Sequence, residues 1–306
     1  MTSFAVLGPG GVGGFMAAAL SRAGHSVTVV AQESSAAVIA QDGIDVQSVR
    51  LGGFVAHPAA VTELTEPVET LFVATKAGGL DAALTRIGVE PGLVVPLLNG
   101  LDHVEVLRRR FGQAAVAGTI RIEADRPRPG RIEHTSPFLL VELASDDPAR
   151  RAPLETLAAQ LEAAEIPARV GESEAEVLWG KLVRLNALAC TTSAVDRPLG
   201  FIRSDPDWRR ALEECVAEAV AVAAAEGARI DPERVMGELE AAHETLGSSM
   251  QRDIAAGREP ELDHIPGGVL RAAERNGLQC PTIARLTVAI AQRAGIEPPT
   301  AAAVAH

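Results

Sequence analysis

The chain reads as an α/β amino-terminal half followed by an all-helical carboxy-terminal half. Three observations predict this. Short β-branched runs alternate with helical stretches through the first hundred or so residues, a glycine-rich turn stands directly after the first run, and amphipathic helical segments fill the sequence beyond residue 170.

The first run, SFAVLG (3–8), is apolar enough for a buried parallel strand. GPGGVG follows at once and sets Gly8, Gly10 and Gly13 at the G-x-G-x-x-G spacing, with Gly11 and Val12 completing the loop. FMAAALSRAG continues as a helix that Gly24 is placed to end, and HSVTVVA (25–31) is a second strand. Strand, loop, helix and strand make one βαβ unit of the Rossmann type. The spacing has a physical reason. Gly8 makes the turn, Gly10 has no Cβ to block a pyrophosphate, Gly13 lets the helix lie close on the strand, and the helix N-terminus faces the phosphate charge.

The residue that ends the second strand reads the cofactor ribose in such folds, an acid favouring NAD and a nearby arginine favouring NADP. That place is held by Gln32, followed by Glu33, Ser34 and Ser35. Glu33 can accept from a 2′-hydroxyl, or Gln32 with the serine pair can bond a 2′-phosphate. At this level the choice between NADP(H) and NAD(H) stays open.

Strands are expected at 70–75 (TLFVAT) and 92–98 (GLVVPLL), each ending in polar residues where a parallel sheet presents its ligand-facing edge. Lys76 follows the first and Asn99-Gly100 the second. Both suit a cofactor or substrate contact, and both equally suit a plain loop. The run 114–143, with turn-rich PRPG at 127–130, is expected to extend the sheet with antiparallel strands. A helix over 151–166 and a short strand, PARV, close this half. The expected division is a dinucleotide-binding domain at 1–170 and a helical substrate and catalytic domain at 171–306.

In the second half, helices are expected over 173–193, 206–227, 232–256 and 266–276, broken at Asp196-Arg197-Pro198, at Gly227 with Asp231-Pro232, and at Gly277. The first carries VLWGKLVRLNALACTTSA (177–194), in which Lys181 rises from a stripe of Val177, Leu178, Leu185 and Leu188. A lysine there can lay its stem along apolar surface and keep its head in water. It can also act as an acid. Hydride transfer to a ketone builds negative charge on oxygen, and a partly desolvated ammonium has a pKa nearer working pH while still supplying positive charge. A second polar cluster lies in SSMQRDIAAGREPELDHIPGG (248–268), with Ser248, Ser249, Asp253, Glu261 and Asp263. Asp253 can equally pair with Arg252 or Arg258, and Glu261 can equally cap the next helix.

Composition excludes other classes. A net charge of −12 argues against a nucleic-acid partner, and the one basic cluster, Arg108-Arg109-Arg110, reads as the solvated end of a helix. Cys190, Cys215 and Cys280 stand far apart without a CxxC pair, which suggests neither a disulfide framework nor a metal site and fits a cytoplasmic chain. Residues 1–21 carry no charge, yet there is no basic n-region, and five glycines and a proline between Gly8 and Gly14 break the apolar run of a secretory segment. No run of about 20 apolar residues suggests a membrane span.

Taken in order, GPGGVG, ATKAGG around Lys76, LLNGL around Asn99, LWGKL around Lys181, RPLG at 197–200 and SSMQRDI with Glu261 in ELDHIPGG resemble the ketopantoate reductases (2-dehydropantoate 2-reductases) over nearly the whole chain. The resemblance implies NADPH, with NADH open, reducing a small 2-keto acid in a cleft between a Rossmann-type and a helical domain. Lys181 would be the general acid and Glu261 would orient a substrate hydroxyl. Ser249 would bind the substrate carboxylate, and Lys76 and Asn99 would line the cofactor and substrate site. A homodimer is left open. Two departures bear on the substrate. The family's lysine helix carries asparagines four and eight residues after the lysine, and those positions here are Leu185 and Ala189. Asn186, the candidate replacement for substrate contact, stands about 100° further around the helix. The family's 2′-phosphate arginine corresponds to Gln32. Two other readings compete: a different dehydrogenase of the β-hydroxy-acid type, and a non-catalytic dinucleotide-binding protein.

Overall fold

Strand β1 (Ser3–Leu7) sends Phe4 and Val6 to one side of a sheet and Ala5 and Leu7 to the other, and all four are buried. A strand apolar on both faces needs cover on both faces, which is the condition of a parallel sheet. The computed structural model describes residues 2–300. After β1 come α1 (Gly11–Arg22), β2 (Ser26–Val30), α2 (Glu33–Asp42), β3 (Ile44–Ser48), β4 (Gly52–Ala56), β5 (Ala59–Val61), β6 (Thr70–Val73), α3 (Leu80–Leu84), β7 (Leu93–Pro96) and α4 (His103–Phe111). Then follow β8 (Ala117–Arg121), β9 (Ala124–Arg128), β10 (Arg131–His134), β11 (Leu140–Ala144), α5 (Arg151–Ala163) and β12 (Ala168–Val170). The rest is helical: α6 (Glu174–Val195), α7 (Leu199–Ser204), α8 (Pro206–Ala225), α9 (Pro232–Ala241), α10 (Ser249–Ala255), α11 (Pro266–Arg275) and α12 (Pro281–Ala294).

The chain divides into two units, one of residues 2–98 with 103–177 and one of 99–102 with 178–300. In the first, five parallel strands run in the order β5-β2-β1-β6-β7. One face carries Phe4, Val6, Val29, Phe72 and Val95 against α1 and α5; the other carries Ala5, Leu7, Val73 and Val94 with Leu80, Leu84, Leu107 and Phe111 of α3 and α4. The helix α1 ends as expected, with Gly24 at φ +88° just beyond it.

The run 114–143 departs from expectation. It does not extend the parallel sheet with antiparallel strands but divides between two further sheets, β4-β3-β10-β9 and β12-β11-β8. An isolated bridge, Val94 to Ala115, is the only strand pairing between this run and β7 among the described residues. The reason lies in β9, whose residues 125–128 are exposed and include Pro127, with Pro129 directly after it. Such a strand cannot enter a sheet buried on both faces, because proline removes ladder donors and charge resists burial. Arg108, Arg109 and Arg110 form the last turn of α4, exposed and paired with Glu174, Glu105 and Glu90.

In the second unit α8 is central, touching α7, α9, α11 and α12. The single helix expected over 232–256 is two helices, α9 and α10, with 242–248 between them. Those residues are engaged elsewhere: the carbonyls of Leu246 and Glu244 accept from Leu199 and Gly200 at the start of α7, each at 2.8 Å. Ser248 then starts a new helix by accepting from the Gln251 N–H at 3.0 Å. Helix α12, unanticipated, opens on Pro281 and ends at Gly295 in the left-handed conformation. All three cysteines are buried and unbridged. Burial pushes the Cys280 thiol up to about 12, with the Glu218 charge adding to the effect, and a hydrogen bond to Cys190 with burial raises Cys215. Thiols held protonated in this way are poor nucleophiles. Among the described residues there is no group of three or more metal-ligating side chains, and no helix is long and apolar enough to cross a membrane.

Candidate active site

The first unit holds a cradle around the glycine turn. Gly8 takes φ +91°, which side-chain-bearing residues rarely adopt, and its N–H donates to the Val30 carbonyl at 3.1 Å, tying the ends of β1 and β2 together. A Cβ on Gly13 would stand 2.1 Å from the Gly8 carbonyl oxygen and 3.1 Å from Val6 Cγ1, so only glycine lets α1 descend onto β1 here. A Cβ on Gly10, in contrast, would meet nothing within 4 Å. Above Gly10 the backbone is therefore open to a close-approaching group. No side chain caps α1 and no acid lies in its first turn, so this end presents backbone donors and partial positive charge to an anion. These residues fit a pyrophosphate.

Gly11 has a different reason to be glycine than loop membership alone suggests. Its Cβ would lie 2.1 Å from the Ala124 carbonyl oxygen, because β9 passes directly against the start of α1. Val12 is half-buried and packs on the core. Gln32 is exposed and stands at the N-cap position of α2 without bonding the helix through its side chain. Lys76 is exposed and follows Thr75, whose Cγ2 would be 2.9 Å from a Cβ on Gly8. The ends of β1, β2 and β6 thus bring Gly8, Gly10, Gly11, Gly13, Gln32 and Lys76 to one edge of the sheet.

The second unit holds the other site residues expected from the sequence, Asn99, Lys181, Asn186, Ser249 and Glu261. Asn99 donates from Nδ2 to Glu261 Oε2 at 2.8 Å, joining two positions that the sequence separates by 162 residues. Their loop is fixed from both sides. Gly100, at φ +88°, leaves room for the His264 carbonyl oxygen, which a Cβ would meet at 2.3 Å. The Arg271 guanidinium bonds Asp102 and also Asp263 Oδ1 at 2.6 Å. Burial works against its charge, yet the two carboxylates outweigh that and hold its pKa above the ordinary value. Sequence reading missed this clamp, since Asp102 and Arg271 lie 169 residues apart and nothing local marks either.

Lys181 is half-buried on α6, next to buried Leu182 and Val183, with half-buried Leu185 one turn on. Ala189 is buried. Asn186 is fully buried as well: its Oδ1 takes the Cys190 thiol at 3.5 Å, and its Nδ2 has no partner among the described residues. Five positions on from Lys181, it stands about 140° around the helix, so Asn186 and Lys181 do not share a face. Of the adjacent serines, Ser248 is consumed by structure, capping α10 and bonding Thr192 and Ser193 at 3.1 Å each. Ser249 is half-buried at the first position of α10. Asp253 pairs with Arg258 at 2.7 Å.

Residues 4–141 match the family model described as "Ketopantoate reductase PanE/ApbA", and residues 175–302 match "Ketopantoate reductase PanE/ApbA C terminal". The chain is 30% identical to the 2-dehydropantoate 2-reductase of Caulobacter vibrioides over 97% of its own length and 100% of that protein. Among solved structures, 2-dehydropantoate 2-reductase from Geobacter metallireducens GS-15 matches with a TM-score of 0.88 at 24% identity, over 95% of this chain and 99% of that one. D-mandelate dehydrogenase, solved with NADH and anilino(oxo)acetate, matches with a TM-score of 0.86 at 21% identity over 96% and 98%. With both units matched by the two halves of one family and a relative aligned along its entire length, the chain belongs to the ketopantoate reductase family, as an NAD(P)-dependent oxidoreductase.

Proposed function

We propose that this protein reduces a small 2-keto acid whose side chain is less polar than that of 2-dehydropantoate, giving the 2-hydroxy acid with the proton supplied by Lys181. The observation that carries the reading is the composition of α6. Lys181 stands where the resemblance expects the acid, while the positions that would bring amides to a polar substrate are Leu185 and buried Ala189, and Asn186 is directed into the interior.

When bound, the reduced nicotinamide supplies hydride to the carbonyl carbon. The chain's own groups do the rest. The Lys181 ammonium donates to the carbonyl oxygen as charge builds there. The Ser249 hydroxyl and the Asn99 amide donate to the substrate carboxylate and its neighbouring oxygen, and Glu261, itself held by Asn99, accepts from a hydroxyl where the substrate has one. Lys76, at the sheet edge, serves the cofactor. A substrate hydroxyl left without a partner costs about 1–3 kcal/mol, or roughly 10- to 100-fold in kcat/KM.

The test is a panel of 2-keto acids followed by NADPH consumption: 2-dehydropantoate, an aliphatic 2-keto acid and an aryl one. D-mandelate dehydrogenase, solved with NADH and anilino(oxo)acetate, is the reason for including the last. An apolar member should exceed 2-dehydropantoate by at least about 10-fold in kcat/KM, and Leu185→Asn should shift that ratio toward 2-dehydropantoate. A wild-type preference for 2-dehydropantoate over every apolar member would overturn the substrate reading. Glu261→Ala, which strands the Asn99 amide, should raise KM for the keto acid about 10- to 100-fold with the Kd for NADPH unchanged, measured by steady-state kinetics beside fluorescence titration.

A further inference from the structure

Gln32, which follows β2 and precedes α2, carries no charge. The structure brings an arginine to this stretch from elsewhere in the chain. Arg126, on β9, donates from Nη1 to the Ser35 hydroxyl at 3.2 Å. Ser35 is the third helical residue of α2 and Gln32 its N-cap. A side chain at the third helical position lies within reach of the N-cap backbone, which is the geometry a capping box uses. The guanidinium therefore stands beside the residue that ends the ribose-reading strand.

Two further observations give this arginine a purpose. First, Arg126 is exposed and forms no ion pair among the described residues, whereas Arg131 on the adjoining strand β10 is matched with Asp45. Its four other N–H donors are available to an oxyanion, and a guanidinium suits phosphate better than any other side chain. Second, the strand that carries it is anchored to the cofactor cradle. The Ala124 carbonyl, two residues earlier, rests on Gly11 so closely that any side chain there would collide with it.

We propose that Arg126, positioned by Ser35, recognises the 2′-phosphate of NADPH and sets a preference for NADPH over NADH. This inference rests on the reductase reading above. The competing arrangement is acceptance of a 2′-hydroxyl by Glu33, which would favour NADH.

Equilibrium titration separates these without turnover, using NADPH and NADH by nicotinamide fluorescence and 2′,5′-ADP and 5′-ADP by calorimetry. Wild type should bind NADPH and 2′,5′-ADP more tightly than NADH and 5′-ADP. Arg126→Ala should weaken NADPH and 2′,5′-ADP roughly 10- to 100-fold and change NADH and 5′-ADP by less than about twofold. Arg126→Lys should recover part of the loss, because it restores the charge but not the fork. An unchanged melting temperature for the exposed Arg126→Ala site excludes a folding defect as the cause. Equal losses for both members of each pair, or a wild-type preference for NADH, would overturn the role of Arg126 and leave the reductase reading standing. Failure of wild type to bind any of the four would remove both.

Discussion

Lys181→Ala should lower kcat by about 10²- to 10⁴-fold and leave the Kd for NADPH within about twofold of wild type. The argument begins with charge. Hydride arriving at a carbonyl carbon pushes an electron pair onto oxygen, and the transition state is stabilised by whatever positive charge and proton lie within hydrogen-bond reach. On α6 the only cation among residues 177–183 is Lys181, half-buried between apolar neighbours. A lysine that merely covers apolar surface would behave otherwise on truncation, costing a little stability and leaving turnover near normal. Lys181→Arg divides charge from proton. The guanidinium keeps the positive charge but holds its protons at any working pH, so kcat should remain far below wild type if proton donation is the main contribution. Stopped-flow measurement of hydride transfer, with fluorescence titration of NADPH, reads both quantities in one variant series. Near-normal turnover in Lys181→Ala would remove Lys181 from the chemistry.

Gly13→Ala should abolish measurable NADPH binding and lower the melting temperature, whereas Gly10→Ala should weaken binding with the fold intact. The two glycines belong to one motif yet do different things. At Gly13 the new methyl would stand 2.1 Å from the Gly8 carbonyl oxygen, a backbone atom that cannot turn aside. Either α1 lifts from β1 or the turn at Gly8 opens, and both spoil the cradle. Overpacking at its upper range of about 3 kcal/mol corresponds to a melting temperature lower by roughly 6–12 °C for a unit of this size. At Gly10 a methyl meets nothing in the protein, and the residue's φ of −72° suits any side chain, so the fold has no reason to change. What the methyl does meet is the approaching phosphate. Differential scanning calorimetry and NADPH titration on both variants distinguish the cases, and equal melting temperatures would contradict the packing argument.

How much of this was legible in the sequence depended on how local each cause is. The βαβ unit was readable because its determinants, from Gly8 to Gly24, act on neighbours within a helix length. The lysine helix was readable for the same reason, and so was the doubt over Leu185 and Ala189. The fate of 114–143 was not, because β10, with β9 on its other edge, finds its partner β3 86 residues away in the chain, and periodicity carries no record of the partner. The break between α9 and α10 was hidden similarly, since the carbonyls of Glu244 and Leu246 are drawn to α7, which residues 242–248 give no sign of needing. The ribose contact was the least accessible. Arg126 is 91 residues from Ser35 and sits in a segment whose prolines announce only a turn.

The assignment of residues 99–102 to the helical unit bears on how relatives of this protein can be recombined. The chain crosses between units three times, after Leu98, after Asp102 and after Val177. A hybrid made by one crossover near residue 177 would inherit Glu261, Asp263 and Arg271 from one parent and Asn99, Gly100 and Asp102 from the other. The bonds from Asn99 to Glu261 and from Arg271 to Asp102 would then be assembled from parts never selected together. Exchange of the helical unit between family members therefore calls for a four-residue graft, 99–102, carried along with the helices it is bonded to.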